Sequence, residues 1–321
     1  MTQRLQALTF AICACLVPAF ASAQYPNKPV RIIIPFAPGG AADVMARIVS
    51  PLLTQSLGAP FIVDNKPGAG GVIAVEHVAK AAPDGHTLLL AANSQMAILP
   101  NMTKTSYDPV KDFAPVSIIG TFMLALAVNE KLPAMQLADF VAHVKAHPGS
   151  IAYGTTGDGG IVHLTMALFA QRTRLDMIAV HYKGSPQALT ELLSGQITAC
   201  FCPVSTVIPY TAGGKLRLLA VSGERRSAQL PNVPTVAEQG HLGFRSVAWN
   251  GVMAPAKTPR IIIDRIAGGI AAALRDADVI KRLQAVGVDP SGNTPEEFAT
   301  ILKDDLNTWR DAAKLAGTEP R

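Results

Sequence analysis

Four short turns carry the residue types that can hold an anion. Pro38-Gly39-Gly40 closes the apolar run RIIIPFA and precedes a helical pattern. Gly68-Ala69-Gly70-Gly71 does the same after FIVDN. Thr155-Thr156-Gly157-Asp158-Gly159-Gly160 adds hydroxyls, with His163 just beyond. Tyr182-Lys183-Gly184-Ser185 adds a lysine before another helical stretch. A helix that starts at such a turn points unpaired N–H groups and a partial positive charge outward. Glycine lets a ligand approach the backbone closely.

Each turn also has a plainer reading. The glycines make tight turns whether or not a ligand is present. Asp43, in the first helical turn after Gly40, is better placed to cap or pair with amides than to receive a negative ligand. His163 either donates to a carboxylate or caps and packs. Lys183 either supplies charge or sits in solvent, and Ser185 with Pro186 reads equally well as a helix cap.

Other chemistries lack their residues. No G-x-G-x-x-G follows the first strand and no G-x-x-x-x-G-K-[ST] occurs, so no nucleotide and no other cofactor is expected. The seven histidines are dispersed, without H-E-x-x-H or a close metal cluster. No G-x-S-x-G elbow marks a nucleophile, so no catalytic residue is named. Cys200 and Cys202 stand two apart on a strand-like run, facing one side, a geometry that strains a disulfide between them. Buried thiols are their first reading, pocket lining the second, and redox or metal chemistry the third.

The elements that position these turns follow from periodicity. Strand-like runs are VRIII at 30–34, FIVDN at 61–65 and TLLLAA at 87–92. Helical patterns run from about Gly40 to Leu53, with Val44, Ile48, Val49 and Leu52 on one face, and from Gly71 to Ala82. Three strand–helix steps in succession predict a parallel sheet covered by helices. The pattern returns with strands at 116–120, 122–128, 151–154, 177–182, 197–201 and 216–221, and helices at 136–146, 163–171 and 185–195. From Pro259 onward the chain reads as three helices. These elements predict an α/β protein of two lobes, each with a central sheet. Lobe 1 is expected over 24–125 and 221–321, and lobe 2 over 126–220.

The first residues stand apart. MTQRLQALTFAICACLVPAFASAQ has a basic Arg4, an apolar stretch and a small-residue end, the pattern of a secretory signal cut after Ala23. No cysteine stands directly after that point to carry a lipid. The mature chain is therefore expected in the periplasm. The whole sequence is 321 residues, 49% hydrophobic and 16% charged, which suits two folded domains. Its formal charge of +5, of which Arg4 supplies one, is scattered rather than striped, so nucleic acid is not an expected partner.

Longer motifs carry a resemblance. YPNKPVRIIIPFAPGGAADVMAR, VDNKPGAGG, AAPDGHTLLLAAN, DPVKDFAPVSII, GTTGDGGIVHL, HYKGSPQALTELLSGQI, GKLRLLAVSGERRSAQLPNVPTVAEQG and WNGVMAPAKTP occur in this order over most of the chain. In them the sequence resembles the Bug family of periplasmic solute-binding receptors, also called tripartite tricarboxylate receptors. The resemblance implies a Venus flytrap that closes on a small carboxylate or related anion, and a receptor rather than an enzyme. It implies contacts from Phe36, Ala37, Pro38, Gly39, Gly40 and Asp43, and opposing ones from Thr155, Thr156, Gly157, Gly159, His163, Tyr182 and Lys183. Asn93 and Ser94 would form a third rim. Cys202 falls where relatives carry an acidic or amide pair that answers a ligand ammonium; a thiol there disfavours an amino-acid ligand. That change, with His181 and the Thr155-Thr156-Gly157 turn, favours an aromatic or uncharged-tailed carboxylate. Implied partners are membrane subunits of a tripartite transporter or a sensor protein, with the receptor itself a monomer. The competing reading is an exported α/β enzyme acting on a small organic acid.

Overall fold

The computed structural model describes residues 25–36, 38, 39, 41–155, 160–182, 185–211 and 213–316. The expected signal and its cleavage point lie outside these residues, as do Ala37, Gly40, Thr156, Gly157, Gly159 and Lys183.

The first half opens with β1 (Val30–Ile34), α1 (Ala41–Leu57), β2 (Phe61–Asn65), α2 (Val72–Ala79) and β3 (Thr87–Ala92). β1 pairs in parallel with β2 and β3, as continuous apolar strands with helical crossovers should. Met45, Ile48, Val49 and Leu53 place one face of α1 in the core. That helix continues past Pro51 to Leu57, beyond the end its pattern predicts.

β4 (Phe113–Asn129) follows as one strand of 17 residues, where two separate strand-like runs are expected. Its first part pairs antiparallel with β9 (Val247–Pro255), and its last part with β7 (Ala199–Pro203) and β8 (Leu216–Val221). Pro115 cannot donate to the ladder, and the register with β9 shifts between Pro115 and Ser117. Beyond β4 come α3 (Leu137–Ala146), β5 (Ala152–Thr155), α4 (Ile161–Thr173), β6 (Ile178–His181) and α5 (Ser185–Ser194). β5 pairs in parallel with β6 and β7. The chain closes with α6 (Arg260–Ala273), α7 (Ala277–Ala285), β10 (Asp289–Pro290) and α8 (Pro295–Ala316).

Among the described residues ten strands join in the order β2-β1-β3-β9-β4-β7-β5-β6, with β8 and β10 also on β4. The sheet is thus mixed rather than parallel throughout. Parallel pairing holds at its two ends, where short strands alternate with helices. The middle is antiparallel, because β9 returns from the far half beside both β3 and β4.

The core divides accordingly. One cluster holds Leu124–Val128, α3, α4 and β7, and includes Val236 and Phe244 from the segment after β8. Two others lie on opposite faces of the β1–β3–β9 region, one under α1 and α6 and one under α2 and α8. Fully burying each Ile, Leu or Phe contributes about 1.5–3 kcal/mol. A fourth, small cluster joins the halves: Leu164 of α4 meets Trp309 and Ala312 of α8 beside Ala97 and Ile98.

Where β4 passes from β9 to β8, Ser222 ties three chain segments together. Its N–H donates to the Leu124 carbonyl (2.9 Å), and its hydroxyl accepts from the Leu124 N–H (3.0 Å). The same hydroxyl donates to the Ser246 carbonyl, while the Ser246 N–H donates to the Ser222 carbonyl (2.9 Å). The Ser246 hydroxyl in turn meets that of Thr165 at 2.5 Å.

Candidate functional site

The turn after β1 is built by α1 itself. Gly39 has φ +86°, a conformation that L side chains rarely adopt. Its N–H donates to Oδ2 of Asp43 at 3.0 Å, and Arg47 Nε reaches the same oxygen at 3.0 Å. Asp43 is 3% exposed, and its Oδ1 has no hydrogen-bond partner among the described residues. Arg47, with the Gly39 amide, holds the Asp43 carboxyl below the usual carboxylate range. Asp43 therefore caps the turn, as its first-turn position predicts. The same bond commits the Gly39 N–H to Asp43 in this conformation.

The second glycine-rich turn serves as support. A Cβ at Gly71 would lie 2.8 Å from the Gln95 side chain and 2.9 Å from Pro35. Gln95 is buried, donates to the Gly70 carbonyl at 2.9 Å and accepts from Ser94 Oγ at 3.0 Å. Tyr107 donates its hydroxyl to the Gln95 carbonyl at 2.6 Å. Turn 68–71 thus braces the Ser94 turn and the β1 loop from behind.

A cavity of about 250 Å³ opens in front of these turns. Phe36 and Ala42 line it from the β1 loop and the start of α1. Ala92, Asn93 and Ser94 line it from the end of β3, Phe122 from β4, and Ala248 and Asn250 from β9. Ile161, the first residue of α4, lines it from the far half. Two helices from different halves therefore begin at one cavity. The N-cap of α4 is Gly160, which makes no side-chain cap. Its first amides rely on groups from outside the helix. Asn93 is held by Nδ2 donating to the Val247 carbonyl at 3.2 Å.

The facing polar residues gather at the ends of β5 and β6. Thr155 is fully buried, and its Oγ1 lies 2.8 Å from His181 Nδ1. The His181 ring meets His163 edge-on at 5.0 Å, and His163 stacks on Tyr153 at 6.3 Å. The Tyr182 N–H donates to the Thr155 carbonyl at 3.1 Å. Burial, helped by Glu191, pushes the Tyr182 phenol up, so it stays a neutral donor.

Cys202 behaves differently from every thiol reading of the sequence. Cys200 and Cys202 form a disulfide, with Cα atoms 5.3 Å apart. Residues two apart on an extended strand are separated by about 6.6 Å. Here β7 is contracted before it gives way to the helical turn Val204–Val207, which moves the pair from the upper edge of the disulfide range to near its commonest separation, about 5.5–6 Å. Cys202 is 2% exposed, within the core under β7, and is not among the described residues that line the cavity. The bond also removes both thiolates as metal ligands. Among the described residues no group of three His, Cys, Asp or Glu could hold a metal ion.

Sequence reasoning brings Phe36, Asn93 and Ser94 to the cavity and misses Ala42, Ala92, Phe122, Ile161, Ala248 and Asn250. Phe122 sits in an unbroken apolar run, and only the pairing of β4 shows which side of the sheet it faces. His181 was visible as a departure from the family pattern; its bond to Thr155 needed the register of β5 and β6.

Two halves sharing a curled sheet, with a cavity at their junction and helices starting on both sides, define a bilobed periplasmic binding protein. Residues 45–317 match the family described as tripartite tricarboxylate transporter family receptor, TctC, and the chain belongs to that family. Protein BugT of Bordetella pertussis is 36% identical over 322 residues, covering 99% of both chains. A solved periplasmic transporter is 39% identical with a TM-score of 0.78, covering 92% of this chain and 99% of its own. The R. palustris protein Rpa4515, solved with adipate, is 31% identical with a TM-score of 0.79, covering 92% of this chain and 100% of its own. The family is one of receptors, and this protein is a receptor rather than an enzyme.

Proposed function

We propose that this protein captures a small organic carboxylate in the periplasm and holds it in the cavity between the starts of α1 and α4. The observation that carries the reading is that one cavity is lined by the first turns of two helices from opposite halves. Amides at helix starts stabilise an anion without any buried cation. The adipate held by the R. palustris relative supports the ligand class.

Capture is followed by closure of one lobe on the other. The lobes are taken as 24–125 with 221–321, and 126–220. The packing of Val236 and Phe244 with the second-half core favours moving the later crossing to Ser246–Val247. Closure would bring Thr155, His163 and Tyr182 toward Phe36, Asn93 and Ser94. Thr156, Gly157, Gly159 and Lys183 belong to the same proposed jaw, and Ala37, Pro38, Gly39 and Gly40 to the other. Export follows cleavage after Ala23, and the closed monomer is recognised by transporter membrane subunits or by a sensor protein.

Thermal denaturation with succinate, citrate, glutamate, benzoate, terephthalate and nicotinate tests the reading. An acid present at a hundred times its Kd adds about 2.7 kcal/mol of stability. A melting temperature that no acid raises would overturn the carboxylate assignment.

A further inference from the structure

We propose that the acid taken by this receptor has one carboxylate and an uncharged, apolar tail, and that Phe122, Phe36 and Ile161 select it. This rests on the carboxylate reading and narrows it. The described residues that line the cavity include no charged side chain. Its walls are the rings of Phe36 and Phe122 and the branched side chain of Ile161, over a floor of Ala42, Ala92 and Ala248. The alanines leave the volume; the two rings and the isoleucine give it an apolar wall.

Each polar side chain of the described lining makes a bond to the protein. Asn93 Nδ2 donates to the Val247 carbonyl, Asn250 Nδ2 to the Ala91 carbonyl (3.4 Å), and Ser94 Oγ to Gln95 Oε1. These bonds hold the side chains in place, and the groups they leave are neutral amides that carry no opposite charge for a second carboxylate. Arg47 of α1 is already paired with Asp43. A second carboxylate pressed against the two phenyl rings would lose its water without gaining an opposite charge from the described lining residues, which is strongly unfavourable. An aliphatic or aromatic tail gains from the same surface.

The lining comes from both halves, so the tail also contributes to closure. Phe36 and Phe122 stand on the first half; Ile161 reaches across from α4 and packs both on the second-half core and on the cluster joining the halves. An apolar tail buries Ile161 only when the lobes are together. The selection is thus made in the closed state, where water has left.

The test is calorimetric titration of the full receptor with matched acids. Hexanoate and adipate share a six-carbon chain and differ in one carboxylate; 3-phenylpropionate and malate extend the contrast. The expected result is that hexanoate or 3-phenylpropionate binds at least about tenfold more tightly than adipate or malate, the scale of selection an apolar pocket achieves. Phe122→Arg should reverse the order by adding a cation to the apolar wall. Ile161→Arg, at the start of a helix on the other half, should do the same and serves where Phe122→Arg fails to fold. Adipate or malate binding as well as or better than the monocarboxylates would overturn the tail assignment and leave the carboxylate reading intact. Failure of both monocarboxylates and dicarboxylates to bind would overturn both.

Discussion

Strand β9 presents two unlike environments on its two faces. Ala248 and Asn250 face the cavity between the helix starts, where no described lining residue is charged. Val247 and Trp249 belong to the other side, beside a cavity of about 340 Å³ and helix α8. That second cavity is larger and far more charged: Arg172, Arg245, Glu224 and Asp305 line it. Charge alone would make it the anion site. Its charges, however, answer one another. Arg245 lies 3.3 Å from Glu224 and 3.6 Å from Asp305. Trp249 Nε1 donates to Asp305 at 2.6 Å. Arg172 donates to the Leu242 carbonyl and stands 5.7 Å from the centre of the Phe244 ring. An incoming anion there would meet two carboxylates. On the cleft side, by contrast, no described lining residue is charged, and the one carboxylate in the first turn of α1, Asp43, is already paired with Arg47. The lesson is that paired side chains build a joint, and backbone amides build a site.

The comparison can be broken first at the joint itself. Trp309 is 2% exposed and stands in the cluster that couples α8 to α4. Trp309→Ala should cost about 3–5 kcal/mol of stability, read by urea denaturation. A cost near zero would mean that the back of the junction is not packed as described. On the cleft side, Asp43→Ala removes the acceptor shared by Gly39 and Arg47. A loss of about 1.5–3 kcal/mol is expected for hydrogen bonds to a charged group, with weaker acid binding because the β1 loop loses its cap.

The two buried carboxylates should also respond to pH in opposite ways. Asp43 is held low by Arg47, so its contribution is present above the unfolded carboxylate value and is lost as pH falls through its folded value. Burial raises Asp305, with the Trp249 bond and Arg245 opposing. The fold therefore favours the protonated form of Asp305. Its effect is most stabilising below the unfolded value, and is lost as pH rises from there through the raised folded value. Melting temperature against pH, compared for Asp43→Asn, Asp305→Asn and the parent, checks both signs; parallel curves would refute the assignment. The smallest effect belongs to Glu224→Gln at the exposed rim, where a change below about 1 kcal/mol that shrinks further with added salt is expected.

Much of the framework was legible from local pattern. VRIII, FIVDN, TLLLAA and LRLLAV fall where β1, β2, β3 and β8 lie. Apolar strands and amphipathic helices announce themselves because their periods are set by backbone geometry. β9 escaped that reading. Asn250, Gly251 and Pro255 interrupt its sequence, and it is buried on both faces, so it shows no alternation. β4 was divided at Gly120, although the glycine lies inside the strand where β10 comes close. The Cys200–Cys202 bond is not legible from strand alternation alone, because β7 is contracted over this pair.

By itself the amino-acid sequence determined the class of fold, the turns at which helices begin, the capping role of Asp43 and the motifs of the receptor family. These depend on residues near one another in the chain, whose conformations and hydrogen bonds are set over a few positions. Only the tertiary structure decided which turns meet at one cavity, that turn 68–71 supports rather than lines it, and that Phe122, Ile161 and Ala248 line it. Those residues come from three distant segments, brought together by the antiparallel pairing of β9 and β4 and the packing of α4 on α8. A cavity is defined by surfaces that face each other, and facing is a property of register and packing, which no short stretch of sequence contains.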